Sequence, residues 1–200
     1  RYSEDIDLVQ VSTGPIGPIF DALREILGPW LGEPSRDMGP GVATLTYRVP
    51  AESDPDRNLR LKVEINTREH FAVQGFQNLP YSVSCRWHEA ECEITTYSPA
   101  EIMGTKMRAL YQRRKGRDLF DLWLGLTEGL GEPAAIVDIF RQYMKHEKHS
   151  VSQTEYQTNL DAKLTNPSFV GDVDPLVSVD LDYSIETAAD LVSEELIQKL

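Results

Sequence analysis

The chain begins with hydrophobic and polar positions that alternate with a period of two. In residues 1–11, Ile6 and Leu8 alternate with polar side chains, which is typical of a half-buried strand. The stretch 15–31 instead carries apolar residues at helical spacing, and Gly32 with Pro34 can end that helix. Further strands are predicted at 42–49, 59–67, 81–87 and 90–97, the last two joined by a turn around His88 and Glu89. The pattern predicts a mixed sheet flanked by helices.

At Ser98 the pattern changes to helical periodicity. Ser98 and Glu101 form a capping box around Pro99 and open a helix that is predicted to run to about Gly116. Further helices are predicted at 118–130, 133–148, 154–163 and 184–200. The predicted fold class is therefore α+β, with an α/β part at residues 1–97 and a helical part at residues 98–200.

The composition is that of an ordinary soluble globular protein, with 200 residues, 40% hydrophobic and 26% charged. No apolar run approaches the roughly 18 residues of a membrane-spanning helix, and no signal peptide opens the sequence. Two cysteines, Cys85 and Cys92, allow one short bridge at most, and a reduced pair is the default. We therefore expect a cytoplasmic protein without a membrane partner.

Charge is distributed unevenly along the chain, whose net charge is −12. Residues 106–117 contain six basic residues and no acidic one, whereas the rest of the chain carries 14 basic against 32 acidic residues. The acidic balance argues against a generally basic surface for nucleic acid. The cationic segment is either a solvated helix face or a local site for phosphates.

Carboxylates share one face of each of two predicted strands. Asp5 and Asp7 are two residues apart, with Ser3 beside them, and Glu64 shares a strand face with Lys62 and Asn66. Carboxylates from adjacent strands can hold Mg²⁺ in phosphoryl or nucleotidyl transfer. The alternative is an exposed sheet face on which Lys62 merely pairs with Glu64.

Two cations of the helix after Ser98 fall on its apolar side. On a helical wheel Lys106 lies in the middle of the apolar arc, and Arg113 lies on the same face. A lysine that binds nucleotide phosphates needs this placement, although a lysine that extends to solvent remains the alternative. Asp118 and Asp121 share a face of the next helix, where Asp118 is either a site residue or an N-cap paired with Arg117.

Taken together, the segments 1–8, 62–66 and 106–122 form an ordered series of motifs. This series resembles the AbiEii/AbiGii family of nucleotidyltransferase toxins over almost the whole chain. The motif from Lys106 to Asp-Leu-Phe-Asp-Leu is more specific than the Asp-x-Asp. The resemblance implies a DNA-polymerase-β-like nucleotidyltransferase core, a helical C-terminal part, and the role of toxin in a toxin–antitoxin or phage abortive-infection system.

The resemblance also implies roles for individual residues. Asp5 and Asp7 match the catalytic metal-binding pair, and Glu64 occupies the position of a third metal ligand, where aspartate is more usual. Lys106 and Asp118 match the essential lysine and aspartate of the later motifs, and Ser3 matches the residue that faces the triphosphate. The remaining nucleotide- or substrate-binding candidates are cations, namely Lys62, Arg113 and Arg117.

The expected activity is transfer of a nucleoside monophosphate from a nucleoside triphosphate to a hydroxyl, with Mg²⁺ or Mn²⁺ as cofactor. By analogy with the family the acceptor is RNA, in particular tRNA, although a protein acceptor is equally compatible with the sequence. A cognate antitoxin is a further expected partner. Family members carry a Gly-rich turn upstream of the Asp-x-Asp, and since this sequence begins after that point we expect weak nucleotide binding. The alternative is a non-catalytic nucleotidyltransferase-like protein that binds a basic protein partner.

Overall fold

The structure, a computed structural model, describes residues 5–51, 54–86, 88–177 and 181–200. The chain divides into two compact units between Phe71 and Ala72. We call the first the sheet unit and the second the helical unit. The sequence pattern instead changes from strand to helix at Tyr97–Pro99. The hairpin of residues 76–97, which precedes this point, therefore belongs to the helical unit.

A four-stranded mixed sheet forms the sheet unit. Its strands follow the order β1-β4-β3-β2, in which β1 runs parallel to β4 and the other neighbours are antiparallel. The elements are β1 (Asp5–Val9), α1 (Gly17–Leu31), β2 (Ser35–Gly39), β3 (Val42–Ala51) and β4 (Asp54–Asn66).

The two faces of this sheet differ in polarity because alternate residues of each strand point to opposite sides. One face is apolar, and α1 packs on it through Phe20 and a stripe of partly buried aliphatic side chains. The buried strand residues of this core are Ala43, Leu45, Tyr47, Val63 and Ile65. The opposite face therefore carries the polar residues of the same strands, including the carboxylates that the sequence analysis singles out.

A hairpin followed by helices forms the helical unit. The hairpin strands are β5 (Phe76–Cys85) and β6 (His88–Tyr97). The helices are α2 (Pro99–Gln112), α3 (Gly116–Thr127), α4 (Pro133–His146), α5 (Gln153–Leu164), α6 (Pro167–Val170) and α7 (Ile185–Glu195). Short 3₁₀ turns lie at Asp174–Leu176 and Ile197–Lys199. None of the helices in the described ranges has the length and apolar character needed to cross a membrane.

Polar side chains fix both ends of α2. At its start Ser98 accepts a hydrogen bond from the Glu101 backbone N–H, as the capping box predicts. The Glu101 carboxylate, however, is fully buried and accepts hydrogen bonds from the backbone N–H groups of Val73 and Gln74, at 2.6 and 2.8 Å, and from the Tyr143 hydroxyl, at 2.7 Å. This carboxylate therefore connects α2, α4 and the segment before the hairpin.

Near the other end of α2, α5 supplies hydrogen bonds to carbonyl groups of the last two turns, of which those of Leu110 and Tyr111 have no backbone partner within the helix. The Tyr156 hydroxyl donates to the Met107 carbonyl at 2.8 Å. Lys163 donates to the carbonyls of Leu110 and Tyr111. Both side chains are buried, so α5 is tied to the C-terminal turn of α2.

Several predicted boundaries are wrong. The helix α2 ends at Gln112 instead of about Gly116, because the backbone is extended at Arg113. Gly116 begins α3 at a place where a Cβ would lie 2.1 Å from the Phe169 carbonyl oxygen, so only glycine fits. His88 and Glu89 belong to β6 and not to a turn.

The sequence pattern does not predict the strand β2. Both cysteines are free, as expected for a reduced pair.

Candidate active site

A row of polar side chains crosses the polar face of the sheet unit. Asp5 lies opposite Lys62, and Asp7 lies opposite Glu64, in the parallel ladder between β1 and β4. Because paired residues project to the same side, Asp5, Asp7, Lys62 and Glu64 share one face. On the other side of β4, Glu64 is paired with Thr44. We call Asp5, Asp7 and Glu64 the carboxylate row.

Lys62 lies within this row as a cation. Its ammonium forms an ion pair with Glu64 Oε1, and both side chains are partly exposed. The hydrogen bond to Glu64, together with the charges of Glu64 and Asp5, raises the pKa of Lys62 above its usual value despite some desolvation. Lys62 therefore does pair with Glu64. The pair lies on β4, between the aspartates of β1 and the strand β3.

The carboxylate row offers oxygen ligands only, which are the ligands that hard divalent ions prefer. Mg²⁺ commonly takes one or two carboxylates from a protein and completes its shell with water and substrate phosphate. Asp5 and Asp7, both exposed, fit that demand. Within the described ranges, no group of three or more His, Cys, Asp or Glu side chains is close enough to hold a metal ion. Ser3, the remaining candidate near this face in sequence, lies outside the described residues.

A second polar cluster lies in the helical unit, where α2 meets α3. Lys106 Nζ is 2.7 Å from Asp121 Oδ2 and 3.8 Å from Asp118 Oδ1. Arg113 donates two hydrogen bonds to Asp118, each at 2.7 Å. We call Lys106, Arg113, Asp118 and Asp121 the Lys106 cluster. It brings together three of the predicted site residues, Lys106, Arg113 and Asp118, with Asp121.

Burial distinguishes the two aspartates of this cluster. Asp118 is fully buried, whereas Asp121 retains some exposure and the Lys106 side chain is 27% exposed. Asp118 is not an N-cap, because Lys115 takes that position in α3. Its two charged neighbours therefore offset the cost of burying its carboxylate. Lys106, held at one end by Asp121, still reaches solvent.

Two further cations of this segment, Lys115 and Arg117, lie at the start of α3 and are partly exposed, whereas Arg108 on α2 pairs with Glu147. Arg117 is not the partner of Asp118: its backbone N–H donates to Asp172 Oδ2 at 3.2 Å, and its Nε lies 3.9 Å from the same oxygen. Lys115 Nζ lies 3.9 Å from Asp172 Oδ1. Asp172 therefore neutralises part of this group, and Lys115 and Arg117 remain substantially exposed. No local sequence signal connects Asp172 with α3.

Comparisons with known proteins identify the family. The model of the nucleotidyl transferase AbiEii toxin family, a type IV toxin–antitoxin system, matches residues 1–192. The chain belongs to the AbiEii family. Membership confirms the resemblance drawn from the motifs and shows that the chain is a nucleotidyltransferase of a toxin–antitoxin family.

The fold of this AbiEii family member is also found among solved structures. A crystal structure described as a "putative nucleotidyltransferase from H. pylori" matches all of this chain and 80% of its own, with a TM-score of 0.55 and 17% sequence identity. At that identity the likeness shows the fold alone, and it confirms the predicted nucleotidyltransferase-like α+β class. No curated protein matches the chain significantly.

Proposed function

We propose that this AbiEii protein transfers a nucleoside monophosphate from a nucleoside triphosphate to a hydroxyl of RNA, with tRNA as the acceptor and Mg²⁺ or Mn²⁺ as the cofactor. The observation that carries the proposal is the register of β1 and β4, which places Asp7 opposite Glu64 with Asp5 on the same face. Membership of a nucleotidyltransferase family supplies the class of reaction.

Asp5 and Asp7 are the proposed ligands of the divalent ion, with Glu64 as a further ligand once Lys62 moves from it. When bound, such an ion neutralises phosphate charge and increases the acidity of an attacking hydroxyl. The carboxylates themselves repel one another, and Lys62 offsets part of that repulsion. The row is therefore suited to exchange one cation for another.

In the proposed reaction the acceptor hydroxyl oxygen forms a bond to the α-phosphorus of the nucleoside triphosphate. The bond from that phosphorus to the oxygen bridging the β-phosphate breaks, and pyrophosphate leaves with the electron pair. The hydroxyl proton passes to a carboxylate oxygen of the row. No oxidant or reductant is required, and atoms and charge balance.

Lys106 has the proposed role of binding the nucleotide phosphates. An ammonium that is 27% exposed and oriented by Asp121 can add a phosphate oxygen to its contacts without leaving the cluster. Asp118, which is itself held by Arg113, is proposed to fix the position of Lys106 from the buried side. Arg117 and its exposed neighbours supply charge for the phosphates of the substrate or acceptor.

The cationic segment supports an RNA acceptor. Arg114 is exposed, and so are large parts of the Lys115 and Arg117 side chains, in a protein whose net charge is otherwise strongly negative. RNA contacts to an acidic protein depend on such a local group of cations. Because tRNA is a cytoplasmic molecule, we propose that the protein acts in the cytoplasm, where a cognate antitoxin opposes it.

The test uses nucleoside triphosphates labelled at the α-phosphate, Mg²⁺ and tRNA. Transfer to a terminal hydroxyl labels intact tRNA and fails to label tRNA whose terminal diol has been oxidised with periodate. Equal labelling of both forms would contradict the terminal hydroxyl as acceptor. Absence of both labelling and nucleotide binding would instead favour the non-catalytic protein that binds a basic partner.

A further inference from the structure

A small groove lies between α2 and α3 in the helical unit, next to the Lys106 cluster. Its volume is about 310 Å³. Its walls are mainly apolar and include Ile102, Met103, Leu124 and Leu130, and its polar end is formed by Lys106 and Asp121. The groove therefore joins an apolar slot to a cation proposed to bind phosphate.

The two helices form this slot through their residue spacing. Ile102 and Lys106 are four residues apart on α2, and Asp121 and Leu124 are three apart on α3, so each pair lies along one side of its helix. Gly125 leaves room for the Met103 side chain between α2 and α3, since a Cβ there would lie 2.2 Å from Met103 Sδ. The floor of the groove is thus the buried Met103 side chain.

Large aliphatic side chains at the rim of the groove are exposed to solvent. Ile102 is 38% exposed and Leu130 is 45% exposed, although both are large aliphatic residues. A ligand with a flat apolar surface removes this area from water, which is favourable. The volume of about 310 Å³ lies at the small end of the usual range of about 300–1,000 Å³ for small-molecule sites.

We infer that this groove binds the nucleobase of the nucleoside triphosphate. The inference rests on the proposed function, because it takes the ligand to be a nucleotide. A base has a flat apolar face for the aliphatic walls and for Met103, and polar edges for the open end. The same molecule carries anionic phosphates, which complement Lys106, and the small volume suits a single ring system rather than a peptide.

Asp121 has a double role in this arrangement. Its carboxylate holds Lys106 at 2.7 Å, and it also lines the groove. A carboxylate at that place accepts hydrogen bonds from an amino group or ring N–H of a base. Asp121 is therefore a specificity-determining residue that favours bases presenting a donor at that edge.

The first experiment separates base binding from phosphate binding. In the double variant Ile102→Ser with Leu130→Ser, the affinity for nucleoside triphosphates falls about tenfold or more, while the affinity for inorganic tripolyphosphate stays within about twofold. The matched control is Leu79→Ser with Val170→Ser, since both residues are 38% exposed and lie outside the groove. Unchanged nucleotide affinity in the groove variant, with folding verified by its melting temperature, would overturn the inference.

The second experiment needs no substitution. Methionine methyl groups are labelled with ¹³C, and the Met103 resonance is followed by NMR as cytidine, uridine, adenosine or guanosine is added. A base in the groove shifts this resonance through its ring current, and ribose or tripolyphosphate does not. No Met103 shift with any of the four nucleosides would overturn the inference. Met103 shifts in a protein that transfers no nucleotide would contradict the proposed function and leave the groove assignment in place.

Discussion

Asp7 lies directly opposite Glu64 in the parallel ladder of β1 and β4, and the two carboxylates project from the same face of the sheet. Like charges in paired positions destabilise a sheet unless a cation lies nearby. Lys62, two residues before Glu64 on the same strand, supplies that cation through its ion pair with Glu64. The polar face thus carries three carboxylates together with an internal cation, Lys62, with which a divalent ion bound at Glu64 would have to compete.

We expect Lys62→Met to strengthen binding of Mg²⁺ or Mn²⁺ in the absence of nucleotide. The variant removes the ammonium that competes for Glu64, and a gain of about tenfold in affinity is consistent with the partial exposure of both groups. Isothermal titration calorimetry measures the effect. The charge-preserving control Lys62→Arg keeps the affinity of the original protein. Metal binding that is no tighter in Lys62→Met than in Lys62→Arg would show that Glu64 does not contribute to the metal site.

The Lys106 cluster gives a prediction in which activity and stability separate. Lys106→Met lowers nucleotidyl transfer at least about a hundredfold, because the phosphates lose their cation. Its melting temperature changes little, since Arg113 still donates two hydrogen bonds to the buried Asp118. Arg113→Met removes those bonds and lowers the free energy of unfolding by about 2 kcal/mol, less than for a fully buried pair because Arg113 is half exposed. Equal loss of stability in the two variants would mean that Lys106 is structural.

The buried Glu101 carboxylate gives a prediction about folding alone. In Glu101→Gln one carboxylate oxygen becomes an NH₂ group, which faces either the Gln74 N–H or both the Val73 N–H and the Tyr143 hydroxyl. Two donors then oppose each other, and we expect the free energy of unfolding to fall by about 2–3 kcal/mol. Tyr143→Phe, which removes one donor only, costs about 1–2 kcal/mol. Urea titrations that find Tyr143→Phe the more damaging of the two would contradict this account.

Lys163 makes stability depend on pH in an alkaline window. Burial, partly offset by the charge of Asp118, lowers the pKa of Lys163 from its ordinary value of 10.5 to about 8. Between these values the folded protein binds fewer protons than the unfolded chain, so the free energy of unfolding rises with pH, by at most about 1.4 kcal/mol per pH unit.

Tyr183 limits this rise at its alkaline end. Burial raises the pKa of Tyr183 to about 12, so the free energy of unfolding falls again once tyrosines of the unfolded chain ionise near pH 10. Denaturant titrations from pH 7 to 10 show the rise in the original protein and not in Lys163→Met; a flat profile in both would contradict it.

The sequence predicts those features of the structure that depend on residues close together along the chain. The period-two alternation at Asp5–Val9 and along β4 is local, and it predicts that each strand has one polar face. The pairing of Asp7 with Glu64 depends on a register between strands far apart in sequence, which no local pattern contains. The sequence does not predict the strand β2 for a related reason: Ser35–Gly39 has weak alternation of its own, and its pairing with β3 makes it a strand.

The same distinction applies to the Lys106 cluster. Helical periodicity places Lys106 on the apolar side of α2 and so predicts a lysine that faces the interior or a cleft instead of open solvent. The wheel does not hold at Arg113, where the backbone has left the helix, and that residue reaches Asp118 by the turn between α2 and α3. The spacing of Glu101 to Ser98 predicts a capping role for its side chain, whereas its carboxylate bonds to residues that only the tertiary fold brings near.

The most direct test of the account is the single-turnover rate of nucleotidyl transfer to tRNA by the protein and by its Asp7→Asn variant. The substitution is nearly isosteric at an exposed position of β1, so the melting temperature should stay close to that of the original protein. If Asp7 holds the divalent ion that activates the transfer, the rate falls at least about a hundredfold at saturating Mg²⁺. A rate that stays within about twofold of the original would contradict the assignment of the carboxylate row as the catalytic centre.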